Sequence, residues 1–296
     1  MNAPLVVNHL QRSFGSKRVL EDVCFTIEPG TLYGLIGRNG AGKTTTIESI
    51  VGLGRPDGGS IAVFGKPPRG NRRSIGHAPQ EIAVYPDLTA YENIAFFADL
   101  YGDRNPRLRA EAVLETIGLQ SSGGTLASVL SGGQRRLLNL GIALAHDPPL
   151  LILDEPTVGL DIEARENVWG VMRDARARGV TILLTTHYLE EADRLCDRVG
   201  ILVAGRIAAE GTPHELKTAL GYDTVVTVGS DDPERTRASL VPHAATTRIV
   251  EGSVQACVVG TPTIDVVVGW LQDVRASAVA TRSVSLEDVY LSASSR

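Results

Sequence analysis

No apolar run in this sequence approaches the ~18–20 residues that a membrane-spanning helix requires. The longest, Pro148–Leu153 and Val199–Ala204, stop at six residues. No basic stretch precedes an apolar core in Met1–Leu10, so no secretory signal is expected. Cysteine is scarce: Cys24, Cys196 and Cys257 are odd in number, far apart and without metal-ligand spacing. They read as reduced thiols rather than a disulfide framework. Lysine is also scarce, with Lys17, Lys43, Lys66 and Lys217 the only four among 29 basic residues. That bias is expected of a G+C-rich genome. Positive charge is in deficit overall, the net charge being −5, which disfavours nucleic acid as a partner held by bulk charge. These absences exclude a secreted, spanning or disulfide-stapled protein and point to a cytoplasmic one.

Hydrophobic residues make up 43% of the 296 residues, ample for a core and suited to two domains or one large one. Short apolar segments read as strands: Leu5–Val7, Val23–Ile27, Thr31–Ile36, Ser60–Val63, Leu150–Leu153, Thr181–Thr185 and Val199–Val203. Helix-period segments such as Thr44–Val51 and Ala164–Arg178 lie between several of them, which predicts an α/β domain with a mostly parallel core sheet. Leu150–Leu153 is continuously apolar, as a strand buried on both faces should be. From about residue 86 the texture turns helical. Thr89 and Glu92 form a T-x-x-E capping box for a helix through Leu100 that Gly102 ends, and a second helix spans Pro106–Ile117. The expected organisation is an α/β domain over 1–220 with a helical insertion at about 86–145, then a small α/β domain over 222–296. In the latter, strands at Thr224–Val228, Thr246–Val250, Val254–Val259 and Ala278–Val284 alternate with helices at Pro233–Leu240, Thr263–Val274 and after Ser285.

The run Gly37-Arg38-Asn39-Gly40-Ala41-Gly42-Lys43-Thr44 fits G-x-x-x-x-G-K-[ST], between an apolar strand and a helix. In such a loop the backbone N–H groups converge on phosphate oxygens. The lysine bridges the β- and γ-phosphates, and the hydroxyl of Thr44 reaches Mg²⁺. A glycine-rich turn with a solvated lysine is the plainer alternative, weakened by how few lysines there are. Asp154-Glu155-Pro156 ends the Leu150–Leu153 strand, where ligands collect in an open α/β sheet. Asp154 is suited to hold Mg²⁺ through water and Glu155 to polarise an attacking water. Ser131-Gly132-Gly133-Gln134 opens another helix, Gln134–Ala145, and again offers free N–H groups to an anion. Alone it reads as a capping box. One nucleotide does not need two phosphate-binding helix starts in one domain, but two copies facing each other would use both.

The stretch Leu130–Gln134 followed by Leu151-Ile152-Leu153-Asp154-Glu155-Pro156-Thr157-Val158-Gly159-Leu160-Asp161 resembles the nucleotide-binding subunit of ATP-binding cassette (ABC) transporters, over roughly residues 5–220. The resemblance implies a P-loop NTPase cassette with an N-terminal antiparallel β part and a helical subdomain, binding ATP and Mg²⁺. It implies that Asn39, Gly40, Ala41, Thr45 and the rest of the loop cradle the phosphates. Phe14 takes the place of the aromatic that stacks on adenine, with Val19 beside it, although a plain core aromatic is an equal reading of Phe14 taken singly. Ser131, Gly132, Gly133 and Gln134 would serve the nucleotide of a second copy in a head-to-tail dimer, and Asp161, in a loop that also matches, would be a nucleotide-binding residue. Gln80 matches the glutamine that senses Mg²⁺, His187 the switch histidine that contacts the γ-phosphate, and Glu155 the group that takes the water proton.

The insertion, Tyr85–Asn93 and then Ile94–Tyr101, and the tail Ser285–Leu291 are similar to ATPase subunits of the ABC-2 exporter class. That class handles drugs, lipids or polysaccharide and works with an integral-membrane permease on the inner face of the membrane. Phe96, Phe97 and Tyr101 cannot all face one helix core, and some of them are expected to line a groove for the permease. A soluble ABC-type ATPase acting on a ribosome or another macromolecular complex is the alternative. Ribosomal versions generally join two cassettes and DNA-repair versions carry long coiled coils; this sequence has neither. The C-terminal region carries nine acidic residues against six arginines from Gly221 onward and no catalytic constellation. Stabilising the dimer or regulating its opening is the role expected of it.

Overall fold

The computed structural model describes residues 3–271 and 274–294. In chain order the elements of the larger unit are β1 (Leu5–Phe14), β2 (Lys17–Ile27), β3 (Leu32–Ile36), α1 (Lys43–Ile50), β4 (Gly58–Val63), β5 (Ile75–Ala78), α2 (Ala90–Leu100), α3 (Pro106–Thr116), α4 (Gly132–Leu144), β6 (Leu150–Asp154), α5 (Ile162–Ala177), β7 (Thr181–Thr186), α6 (Leu189–Leu195), β8 (Arg198–Val203) and β9 (Arg206–Gly211). The smaller unit contains α7 (Pro213–Thr218), β10 (Thr224–Ser230), α8 (Pro233–Leu240), β11 (Thr246–Val250), β12 (Ser253–Val258), α9 (Ile264–Trp270), β13 (Ala276–Ser283) and α10 (Leu286–Ser294). The chain divides into Met1–Glu210 and Gly211–Arg296, so α7 falls in the smaller unit, whereas the sequence reading ended the cassette at residue 220.

Nine strands form one sheet in the order β4-β1-β2-β9-β8-β3-β7-β6-β5. The run β8-β3-β7-β6-β5 is parallel, and β1 pairs antiparallel with β2 and β4. Every residue of β3, β6 and β7 is buried, because crossover helices cover both faces of a parallel sheet. Leu150–Leu153 are each 0% exposed, and burying each such side chain stabilises the fold by about 2 kcal/mol. On α5 the buried residues Val168, Trp169, Val171, Met172 and Ala175 recur at helical spacing and form its apolar stripe.

Register decides where the ligand goes. Ile36 of β3 pairs with Thr186 of β7, Asp154 of β6 with Thr185, and Ala78 of β5 with Leu153. The carboxyl ends of these parallel strands therefore lie side by side, and the loops that follow them share one edge of the sheet.

β1 and β2 run well beyond the predicted Leu5–Val7 and Val23–Ile27 because a bulge at Asn8–His9 breaks the alternation that would reveal them. β5 and β9 were not expected at all; β5 is only four residues long and contains a glycine and a histidine. In the helical part the capping box at Thr89 is formed in both directions, as is the one at Ser131. α2 ends at Leu100 and Gly102 adopts φ 79 after it.

The smaller unit has a four-stranded antiparallel sheet, β11-β12-β10-β13. Val226, Val228, Val254, Ala256 and Val258 meet Leu240 of α8, Val267 of α9 and Leu271 on one face. Val225 and Cys257 meet Tyr222 on the other. The helix predicted over Thr263–Val274 is formed at Ile264–Trp270, and residues 272–273 lie outside the described residues.

Candidate functional site

The loop 37–42 leaves the buried end of β3 and turns directly into α1. Gly42 adopts φ 111, and a Cβ there would meet Cδ2 of Leu20 at 2.5 Å; Gly40 adopts φ 83. Both conformations are accessible to glycine and strained for other residues, and at Gly42 a side chain would also collide with Leu20. Lys43 is buried, and its Nζ donates to the carbonyl oxygens of Gly37 at 2.7 Å and Arg38 at 3.4 Å. The same Nζ lies 3.0 Å from Oε1 of Glu155.

Asp154 and Glu155 are 3% and 6% exposed. Thr185 of β7 donates its hydroxyl to Oδ1 of Asp154, fixing that carboxylate from the neighbouring strand. Glu155 adopts φ 47, a strained value for a non-glycine residue, and its N–H reaches both the carbonyl and the hydroxyl oxygen of Thr185 at 3.1 Å. His187, just past β7, brings Nδ1 to 3.1 Å from Oε2 of Glu155. Glu155 is thus held between Lys43 and His187, one on each carboxylate oxygen.

A cavity of about 340 Å³ is lined by Val19, Asn39, Gly40, Gly42, Lys43, Thr44, Thr45, Gln80 and Glu155, together with Lys17. The structure therefore gathers the phosphate loop, Gln80 and Glu155 around one space, and adds Lys17, which no motif had marked. Phe14 is 51% exposed at the hairpin tip, so it is not a core residue, and the Arg12 guanidinium lies 5.0 Å from its ring centre. Ser131 and Gly132 are exposed, and Gly133 sits at the start of α4, where a Cβ would meet that of Ala164 at 3.0 Å. Asp161 caps α5 by accepting from the N–H of Ala164 at 2.8 Å. None of Ser131, Gly132, Gly133, Gln134 and Asp161 lines the phosphate-loop cavity of their own chain.

Sequence reasoning missed the residues that fasten the Gln80 loop. Arg136 donates to the carbonyl of Gln80 at 2.7 Å, and Asn139 binds the carbonyl of Pro79 at 3.1 Å and the N–H of Ala83 at 3.1 Å. Both lie on α4 and are buried; burial lowers the Arg136 pKa while the Asp154 carboxylate opposes that shift. Glu191, also buried, accepts from Thr157 at 2.9 Å and from the Trp169 indole at 2.7 Å, tying the loop after Glu155 to α5 and α6. Each partner is more than 20 residues away, so no local pattern announces it.

The residues fit a nucleoside triphosphate with its metal. The cavity beside the glycine turn leaves room for phosphate, Lys43 is a buried cation lining it, and Thr44 and Asp154 supply the hard oxygen donors that Mg²⁺ takes. Fold and site together define a P-loop nucleotide-binding protein. A protein-family model described as ABC transporter matches residues 20–158. Nod factor export ATP-binding protein I of Burkholderia lata is 39% identical over 98% of this chain and 96% of the relative. Linearmycin resistance ATP-binding protein LnrL of Bacillus subtilis is 40% identical over 75% of this chain and 73% of the relative. Among solved structures, an ATP-binding subunit of an ABC transporter superposes with a TM-score of 0.67 at 34% identity, covering 73% of this chain and 93% of the other. The chain belongs to the ATP-binding subunits of the ABC transporter family, the ATPases that power such transporters. Among the described residues no helix is long and apolar enough to cross a membrane.

Proposed function

We propose that this chain hydrolyses ATP to drive an ABC-2 type exporter of drugs, lipids or polysaccharide, working as a homodimer on the inner face of the membrane beneath an integral-membrane permease. The observation that carries the catalytic part is Glu155, buried with one carboxylate oxygen on Lys43 and the other on His187. Phosphoryl transfer depends on placement and charge stabilisation more than on covalent chemistry. Glu155 accepts or orients the proton of the attacking water, His187 holds the γ-phosphate geometry, and Lys43 with the N-terminus of α1 meets the phosphate charge. Mg²⁺, held by Thr44, Asp154 and Gln80, would neutralise the phosphate oxygens. Phe14, with Val19 beside it, provides the face for adenine.

The exposure of Ser131 and Gly132, away from the cavity of their own chain, supports their use by a second copy, with Gly133, Gln134 and Asp161 beside them. Two copies head to tail would each close the other's site. For the permease contact, Phe97 and Tyr101 line a cavity of about 240 Å³ with Pro79, Ala83 and Asn139. Tyr85, Phe96 and Phe97 form an aromatic cluster beside it, with ring centres 5.3–6.0 Å apart. The groove thus adjoins the loop that carries Gln80, a direct route from permease to catalytic site. The relative named for Nod factor export supports the direction of transport, and the one named for linearmycin resistance is consistent with it.

The test is Glu155→Gln in the purified protein. ATP binding should persist, turnover should fall by about 10²–10⁴-fold, and an ATP-bound dimer should accumulate on size exclusion. Hydrolysis at the wild-type rate would remove Glu155 from the role of base.

A further inference from the structure

Three side chains with metal-ligating chemistry converge on the antiparallel hairpin, outside the nucleotide site. Asp22 and Cys24 stand two residues apart on β2 and so share one face of the sheet. On β1 the register passes from Val7↔Phe25 to Leu10↔Val23, which sets Asn8 and His9 together opposite Cys24. His9 takes φ 49, a left-handed conformation uncommon for a residue with a side chain. Bulges re-aim side chains, and this one brings the His9 ring onto the face of Asp22 and Cys24.

Nδ1 of His9 lies 2.8 Å from Oδ1 of Asp22 and 3.6 Å from Sγ of Cys24, and that Sγ lies 3.6 Å from the same Oδ1. With ordinary zinc bond lengths, the edges of a tetrahedral centre with nitrogen, sulfur and oxygen ligands span roughly 3.3–3.6 Å. Two of the three edges already have that length, and the third needs to open by about half an ångström. The arrangement is not a nucleophile–base–acid relay. A relay uses both ring nitrogens, one toward the thiol and one toward the carboxylate, whereas here both partners meet Nδ1.

The surroundings suit ligation. The His9 N–H donates to Sγ of Cys24 at 3.0 Å, fixing the sulfur at the bulge. Nη1 of Arg206 sits 3.7 Å from Oδ2 of Asp22, holding the outer oxygen and leaving Oδ1 turned toward the other two ligands. The same guanidinium is shared with Glu21, whose Oε2 lies 3.0 Å from its Nε. His9 is 74% exposed, so an ion has an entry path and solvent can fill a fourth position. One sulfur, one nitrogen and one oxygen donor select a borderline-soft metal, not the all-oxygen preference of Mg²⁺ or Ca²⁺.

We propose that His9, Asp22 and Cys24 form a three-ligand site for a zinc-class divalent transition metal, pinning β1 to β2 at the bulge and separate from the nucleotide-binding loop. The test uses untagged, chelator-stripped, nucleotide-free protein titrated with Co²⁺. A thiolate-to-cobalt charge-transfer band should saturate at one equivalent, be displaced by Zn²⁺ and disappear in Cys24→Ala. Cys196→Ala and Cys257→Ala, at buried positions, should keep it. His9→Gly relieves the left-handed backbone while removing the ligand, so it should weaken Co²⁺ binding at least tenfold without lowering the metal-free Tm. Zn²⁺ should raise the Tm of the wild type and not of either ligand variant. Absence of the band, its survival in Cys24→Ala, or undiminished binding in His9→Gly would each overturn the assignment.

Discussion

Lys43 Nζ lies 3.0 Å from Glu155 Oε1 with both side chains buried, so the cation of the phosphate loop and the carboxylate opposite it compensate each other. Removing either partner leaves the other buried and uncompensated, and such losses cost about 3–5 kcal/mol. The costs should differ, because Lys43 retains the carbonyls of Gly37 and Arg38 as acceptors whereas Glu155 would keep only His187. Lys43→Ala is therefore expected to lower the Tm of the nucleotide-free protein more than Glu155→Gln does. The double variant should recover about 1–3 kcal/mol relative to the sum of the two. Denaturant unfolding of the four proteins measures this coupling; strictly additive losses would mean that the two charges do not compensate each other.

Arg136 ties α4 to the carbonyl of Gln80, so a side-chain hydrogen bond joins the helix capped by Ser131 to the loop beside the cavity. Arg136→Met keeps the length of the side chain and removes the donor. ATP affinity should stay within about threefold, since Arg136 does not line the cavity. Stimulation of ATPase activity by the co-purified permease should fall severalfold, and amide exchange at residues 79–83 should accelerate. Unchanged exchange there would remove the tether.

What could be read in the sequence was what neighbouring residues decide among themselves. The strand–glycine loop–helix unit at 32–50, the capping boxes at Thr89 and Ser131, and the stop after Leu100 are local chemistry, and each formed as expected. The acidic pair stood out because Asp154 ends a strand apolar throughout. What lay hidden depends on register and long-range closure. His9 and Cys24 are 15 residues apart and meet because a bulge sets them opposite each other, which no spacing rule anticipates. Arg136 and Gln80, 56 residues apart, are joined by the packing of α4 over β5. The polar ends of β1 and β2 carry too little alternation to read as strands, yet they place Phe14 at the hairpin tip.

Phe14 exposes half of its surface and contributes little to the core, so its replacement should separate binding from stability. Phe14→Ala is expected to leave the Tm within a degree or two while weakening ATP binding by about tenfold, the lower part of the 1–3 kcal/mol range for a base stacked on an aromatic ring. Phe14→Tyr keeps the π-face and should bind within about twofold of wild type. Fluorescent-nucleotide titration distinguishes the cases; equal affinity in all three proteins would remove the adenine face from Phe14.

Asp288 gives the smaller unit its own pH dependence. The carboxylate is fully buried, which alone would raise its pKa. Arg282 donates to both oxygens at 2.7 and 3.0 Å, the Ser285 N–H donates at 3.0 Å and Arg248 at 2.8 Å. These hydrogen bonds outweigh burial and hold the pKa at about 2, below its ordinary 3.8. Because the folded value is depressed, the stabilisation is complete well above pH 3.8 and is lost as pH falls from there through about 2. The difference corresponds to about 2 kcal/mol. Asp288→Asn should therefore destabilise the smaller unit at pH 6, seen as faster amide exchange in β10, β12 and α10 of the full chain. That gap between variant and wild type should narrow steadily from pH 4 toward pH 2. A gap independent of pH over that window would show that the carboxylate's charge contributes nothing to holding α10 on the sheet.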